Sequence, residues 1–470
     1  MKHYLLSILL FIFCLGATQL HSQQINPGSQ IDWSHSTGCS TVGSPYIPQS
    51  NTCVPFGGVL LNPTGTQTIA QPDAAHPLIV NYLNPQFING EVQASAFSGA
   101  DACAKLNAAL IYAVSNSYPN VNATGFSGTQ GCASNPFALT SVVAAGNTVH
   151  LAVRFGVVHF QLGTTASQWH IVNSGISISS PGPYALQLEY TGATNIASAL
   201  YVDANSTFLA GNGLNGISID GMYVYGGTSN LTDAILIQGA SRGHFSNLSA
   251  WGASSCGIHV EGAVTNTFYN PHVSHTDFLF YLGSGSSAGH TTPASGICLD
   301  KDFTTGYLVT DSTFVDAIAE GVTGIGWHFI AANSNTFTSG TSEANGQGVV
   351  FDTASGANKY NTLISSDLEG NTANITGVDV LDNSGYNFFV STLAFSTCTG
   401  GCAGSIDLTG TGGNDFIIGI GAGGASNTTV GTGAFGYLPF NTEAGGTLPG
   451  TAVGYIDMII AGSKHKIPFY

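Results

Sequence analysis

Between Asn215 and about Thr428 a short apolar pattern recurs that no single strand or helix accounts for. Each copy opens on Gly, once on Ala, and alternates apolar with variable residues before an acid or amide. The clear copies are Gly216-Ile-Ser-Ile-Asp220, Ala234-Ile-Leu-Ile-Gln238, Gly257-Ile-His-Val-Glu261, Gly296-Ile-Cys-Leu-Asp300 and Gly348-Val-Val-Phe-Asp352. Looser copies are Phe278-Leu-Phe-Tyr-Leu282, Gly324-Ile-Gly-Trp-His328, Gly377-Val-Asp-Val-Leu381 and Ser405-Ile-Asp-Leu408. Their first apolar residues lie 18 to 29 residues apart. Period-two strands at that repeat length predict a solenoid of parallel strands stacked about 4.8 Å apart, with the inward residues packed in columns.

A second signal runs in phase with the first. Some residues after each strand an aromatic or Leu stands near Asn: Phe245/Asn247, Asn266/Phe268/Asn270, Asn335/Phe337, Asn361/Leu363, Asn387/Phe388 and Asn414/Phe416. Asn tolerates the left-handed corner a coil needs, and stacked amides bond along an axis. A leucine-rich horseshoe would need its Leu and Asn consensus, and a propeller would need blades of about 40 residues.

On these two patterns, over about 99–428, the chain resembles the right-handed parallel β-helix proteins of the pectate lyase and polygalacturonase superfamily, which include rhamnogalacturonase-like enzymes and phage tailspikes. The resemblance implies an all-β, single-stranded right-handed β-helix. It also implies an N-terminal capping helix, which matches Gly99 to Val114: Leu106, Ala109, Leu110, Ala113 and Val114 share one face, and a helix there would cover unpaired strand edges. The division follows: residues 1–22 a secretory signal, 23–98 a Pro- and Gly-rich arm, 99–428 the solenoid with its helix at 100–115, and 429–470 a Gly-rich tail ending in a hairpin around Ala461-Gly-Ser463. That tail reads as a cap or as a contact for homo-oligomer formation.

Composition narrows the partners. Only 7% of residues are charged, with 25 acids against 8 bases and a net charge of −17. That balance argues against nucleic acid and anionic membranes, which need clustered Lys or Arg. No segment after the signal is long and apolar enough for a membrane helix. The expected location is secreted or on the cell surface, and the expected partner an extracellular polysaccharide. Setting Cys14 aside with the signal leaves eight cysteines, an even number that favours disulfides over zinc. Nearest-neighbour pairing joins Cys39 with Cys53, Cys103 with Cys132, Cys256 with Cys298, and Cys398 with Cys402. The Cys256 pair fits worst, because its members occupy different strand positions about two coils apart.

The chemically densest stretch is Arg242 to Lys301. Alternation turns the residue three after each first apolar position outward, giving Asp220, Gln238, Glu261, Leu282, Asp300, His328 and Asp352 on the surface. The family's catalytic acids often directly precede a strand, which the resemblance carries to Asp233 and Asp277. Its paired Asp-Asp and Gly-His-Gly motifs are absent. The expected catalytic set is Asp233, Glu261 and Asp277, with Arg242, His244, Trp251, His259 and His275 binding substrate and Trp251 as the sugar platform. The leading function is glycoside hydrolysis by two carboxylates, without metal or other cofactor. The alternatives are a non-catalytic adhesion rod and a polysaccharide lyase, the last bringing Ca²⁺ through Glu261, Asp300 and Asp302.

Overall fold

The computed structural model describes residues 86–469 with internal breaks at 164–167, 205–212, 227–229, 275–293, 353–357, 373–378, 396–405, 409–414, 419–420, 423–427, 431–453 and 461–462, together with four short strands before residue 70. The expected signal, Cys39, Cys398, Cys402, His275 and Asp277 lie outside the described residues. The chain divides into two compact units, 1–83 and 84–470. In the first, Tyr46–Gln49 pairs antiparallel with Thr52–Pro55, and Leu60–Leu61 with Gln67–Thr68.

The second unit is mostly β, built from long parallel ladders. In each regular coil the chain lays one strand in each of three ladders, as in Thr313–Val315, Ile318–Glu320 and Ile325–Phe329, followed by Thr336–Thr338, Thr341–Glu343 and Gln347–Phe351. The third ladder has ten strands: β1 (Trp169–Ile171), β2 (Ile196–Asp203), β3 (Leu231–Gln238), β4 (Cys256–Glu261), β5 (Ser295–Asp300), β6 (Ile325–Phe329), β7 (Gln347–Phe351), β8 (Val380–Asp382), β9 (Ile406–Leu408) and β10 (Thr428–Val430). Alternation buries Ile235, Ile237, Ile258, Val260, Ile297, Leu299, Val349 and Phe351 in the common core.

The coils turn where the backbone goes left-handed. Between the first and second ladders that residue is Gly221, Asn247, Asn270, Asp316, Ser339, Ser365 and Ser391 in successive coils. Where the third ladder returns to the first it is Gly216, Arg242, Thr265, Asp311, Ser334, Tyr360 and Tyr386. The asparagines of the sequence motif therefore divide into two roles. Asn247 and Asn270 make corners, while Asn266, Asn335, Asn361 and Asn387 are buried and form an axial relay. Gly243 N–H donates to Asn266 Oδ1 (2.7 Å), and Ser312 N–H to Asn335 Oδ1 (3.0 Å). Asn335, Asn361 and Asn387 then donate their N–H groups to Asn361, Asn387 and Asp415 at 2.9–3.1 Å. Backbone amides left unpaired by the turn are thus satisfied by the next coil. Beside this relay Phe245, Phe268, Phe314 and Phe337 stack inside, with centroids 4.9, 4.4 and 4.3 Å apart.

Three expectations about register change. The copy at Gly216 belongs to the first ladder, since Ser218–Gly226 pairs with Ile176–Ser179 and His244–Trp251. The copy at Gly324 is two residues out: Ile297 lies opposite Trp327, so His328 stands in the His259 column and not in the Glu261 column. The copy at Phe278 lies outside the described residues, and β4 pairs directly with β5. Cys256 and Cys298 therefore sit on neighbouring coils, and they are bonded. Cys103 and Cys132 are bonded too.

The helix α1 (Ala102–Ser115) starts where Asp101 accepts the Ala104 N–H at 2.8 Å and buries Leu106, Ala109, Leu110, Ala113 and Val114. Near the end of the chain Gly454–Ile460 pairs antiparallel with Ser463–Phe469. Among the described residues no helix is long and apolar enough to cross a membrane.

Candidate active site on the outer face of the third ladder

The parity that sends Ile258 and Val260 inward turns His259 and Glu261 outward, and strand register sets their neighbours. Asp203, Gln238, Glu261 and Asp300 occupy one column on β2 to β5. His259 is anchored from the preceding coil: its Nδ1 lies 3.0 Å from Asp233 Oδ2, while Asp233 Oδ1 accepts the Cys256 N–H at 2.9 Å. The Cys256–Cys298 bond fastens the start of β4 to β5, where Cys298 lies opposite His259 in register. On its other side His259 Nε2 is 3.5 Å from Glu261 Oε1, outside hydrogen-bond geometry but within ion-pair range.

Glu261 is fixed from behind. Gln238 Nε2 donates to Glu261 Oε2 and to Asp302 Oδ1, both at 3.2 Å, and Gln238 Oε1 accepts from the Tyr201 hydroxyl. Tyr201 stacks on His170 at 4.8 Å, and His170 Nε2 pairs with Asp203 Oδ2 at 2.8 Å. A polar seam thus crosses five strands from His170 to Asp300.

Burial sets the proton affinities. It pushes the Glu261 carboxyl up to about 7; His259 opposes the rise, and the charges of Asp233, Asp300 and Asp302 add to it. Burial also raises Asp300, against the Lys301 backbone N–H and the His259 and Lys301 charges. For His259 burial acts downward, but the Asp233 hydrogen bond and the charges of Asp233, Glu261 and Asp300 outweigh it, and the imidazole binds its proton more tightly than usual. Desolvation, with Asp203, Glu261 and Asp302 nearby, holds Tyr201 as a neutral phenol. The site therefore offers near neutrality a carboxylic acid that holds a proton, beside a second carboxyl one strand away. Glu261 keeps 13% of its side chain exposed.

Of the residues expected to act, Asp233, His259 and Glu261 converge. Asp233 spends both oxygens on Cys256 and His259, so it positions the imidazole and does not face solvent chemistry. Trp251 is wholly buried after the Asn247 corner and offers no ring face to a sugar. Arg242 and His244 are exposed but belong to the corner and strand that open the first ladder. Asp300 is legible in the sequence as the same repeat position as Glu261. The exposed rings beside it, Phe303 (67%) and Tyr307 (51%), sit in a turn bound by Asp302, whose carboxylate accepts the Thr304 N–H (2.8 Å) and the Thr305 hydroxyl (2.7 Å). Their only sequence signal is a pair of aromatic residues in a polar loop directly after a strand.

Asp233, Cys256 and His259 place one ligand atom each within 4.8 Å of one another. The Cys256 sulfur is committed to its disulfide, and the other two are bonded together, so the trio does not fit a thiolate metal centre. A separate concavity of about 680 Å³ lies by His150, Asn173 and Asn215, and no carboxylate lines it among the described residues.

No family model and no curated protein matches the chain. Among solved structures it is similar to ORF18 of Geobacillus virus E2, at 14% identity over 82% of this chain and 66% of that one, with a TM-score of 0.37. It is also similar to the Dettilon tailspike protein gp208 (10% identity, 71% and 61% covered, TM-score 0.34). A third is the alginate lyase from Paenibacillus sp. str. FPU-7 (14%, 65% and 99%, 0.29). The chain spans just under two thirds of the length of the first of these. At TM-scores this low the likeness assigns no activity to the chain.

Proposed function

We propose that this chain is an exported right-handed β-helix, closed at its N-terminal end by α1, that hydrolyses glycosidic bonds of an extracellular polysaccharide. Glu261 is the general acid and Asp300 the partner carboxylate; burial and the Asp233 charge keep Glu261 protonated near neutrality, the Asp233-anchored His259 moderates that rise, and Phe303 and Tyr307 meet the sugar rings. The observation that carries this reading is the Glu261 carboxyl held at about 7, with 13% of its side chain exposed and a second carboxyl opposite it in strand register. Neighbouring parallel strands put the two Cα atoms about 4.8 Å apart, closer to the ~5–5.5 Å of a retaining pair of carboxyls than to the ~6.5–9.5 Å of an inverting pair.

A lyase would need a cation against the uronate and a base beside it. Arg242 opens a different ladder, and Lys301 lies over the Phe303 ring at 5.5 Å. The hydrolase reading is preferred on that ground. A non-catalytic surface rod is the second reading, favoured by the depth of Asp300, which is only 4% exposed. The test is a panel of neutral and acidic polysaccharides assayed for new reducing ends and for unsaturated products, with and without EDTA. Hydrolysis gives reducing ends without unsaturation, unaffected by EDTA, and Glu261→Gln lowers the rate about 10²–10⁴-fold. Unsaturated products would convert the assignment to a lyase, and a wild type inert on every polymer would leave the rod.

A further inference from the structure

The return corner of the coil is left-handed in every regular turn, and small or polar residues fill it at Thr265, Asp311 and Ser334. In the next two coils the same corner is Tyr360 (φ 59°) and Tyr386 (φ 64°), although a bulky aromatic residue is among the least suited to that conformation. Folding gains little from the Tyr360 ring. Tyr360 is 54% exposed, and its backbone N–H bonds the Tyr386 carbonyl at 2.8 Å, as any residue could. The two rings lie 6.2 Å apart on adjacent coils. Lys359 stands 5.0 Å over the Tyr386 ring, and exposed Phe388 follows two residues later. The same return segment carries Phe303 and Tyr307 two coils earlier, directly after Asp300.

We infer that Tyr360 and Tyr386, with Phe388, form a distal subsite for an uncharged stretch of polysaccharide lying along the solenoid axis. The occupant follows from chemistry and continuity. Flat, amphipathic rings with polar tips suit the apolar faces and hydroxyl rims of sugars. A rise of about 4.8 Å per coil offers roughly one ring per hexose. The line leads back to the loop beside Glu261 and Asp300, so one extended chain would meet both places. A polyanion is disfavoured, since among the described residues Lys359 is the one cation at this corner and it is engaged with a ring. The inference rests on the glycan reading proposed for Glu261, but binding and hydrolysis are separable.

The experiment uses the full chain carrying Glu261→Gln, so that no polymer is cut, in affinity electrophoresis through gels containing hydroxyethylcellulose, arabinoxylan, galactomannan or polygalacturonate. At least one neutral polymer should retard the protein, and adding Tyr360→Ser with Tyr386→Ser should weaken that binding about tenfold. Serine is the residue of the preceding corner, Ser334, so the thermal midpoint should hold and loss of fold is checked directly. Equal retardation of the two proteins overturns the subsite, as does binding to polygalacturonate alone or to no polymer. Retardation that depends on the tyrosines, from a wild type that cuts nothing, keeps the subsite and removes the hydrolase. Hydrolysis by the wild type with tyrosine-independent binding does the reverse.

Discussion

The coils around Asn335, Asn361 and Asn387 and the outer face around Glu261 belong to one solenoid but handle buried polar groups in opposite ways. In the first region each amide side chain answers backbone groups of the coil before it, and stacked Phe rings fill the space beside it. In the second, three carboxyls crowd one imidazole, two of them are driven toward protonation, and His259 Nε2 is left without a hydrogen bond. The contrast separates rigidity from reactivity: one region lowers the energy of the fold, and the other holds charge states that solvent would relax.

If that division is right, the largest stability losses come from the regular coils. Phe337 is fully buried between Phe314 and the Trp327 and Phe329 rings, so Phe337→Ala should cost about 3–5 kcal/mol, read from the midpoint of urea unfolding. Asn361→Ala comes next. It strands the Asn335 N–H and the Ala332 carbonyl in the interior, for about 2–4 kcal/mol. A loss below about 1 kcal/mol in either variant would mean that the relay and the stack are replaceable and that the comparison fails.

The interior of this fold is readable from the sequence because period-two parity survives errors of register. Ile258 and Val260, or Ile297 and Leu299, face inward whichever coil they are assigned to. Register itself is not readable where both candidates are apolar and flanked by Gly, as with Ile325 and Trp327. Alternation is also blind to how many coils lie between two strands, which is why Cys256 and Cys298 look distant until the pairing of β4 with β5 is known. Parity does not read Trp251: the left-handed corner at Asn247 moves the inward positions to Leu248 and Ala250, and the Trp251 ring between successive positions is buried all the same. Glu261 is legible from parity alone, but the imidazole and amide contacts that set its proton affinity depend on which strand lies beside β4.

A smaller effect tests the buried acids of the later coils. Asp379 is fully buried, and desolvation lifts it to about 7 against the Gly348 N–H and the Asn371 amide. Asp415 reaches about 7 through burial and its neighbour Asp382. Folded pKa values above the unfolded ones mean that the native state binds more protons. The contribution is therefore fully present below about pH 4 and is lost as pH rises to about 7, at no more than about 1.4 kcal/mol per pH unit for each group. Asp379→Asn keeps the acceptor for Gly348 and should flatten that slope between pH 4 and 7, measured as the urea midpoint against pH. An unchanged slope would assign the pH dependence to other carboxyls.

The smallest shift is the most telling, because its sign differs between the two regions. Glu261→Gln removes a desolvated carboxyl while leaving an oxygen to accept from Gln238, so stability at pH 8 should rise by about 1 kcal/mol as the proposed hydrolysis is lost. At pH 8 the wild-type group is ionised in both states and bears the whole cost of burial. Near pH 5 it is protonated only in the native state, which returns most of that cost, so the advantage of the variant should shrink there. Paired urea titrations at the two pH values measure the difference. A variant less stable than wild type at both would make Glu261 a structural member of the Tyr201–Gln238 seam, resembling the asparagines in role, and the acid of the reaction would have to be sought elsewhere on the face.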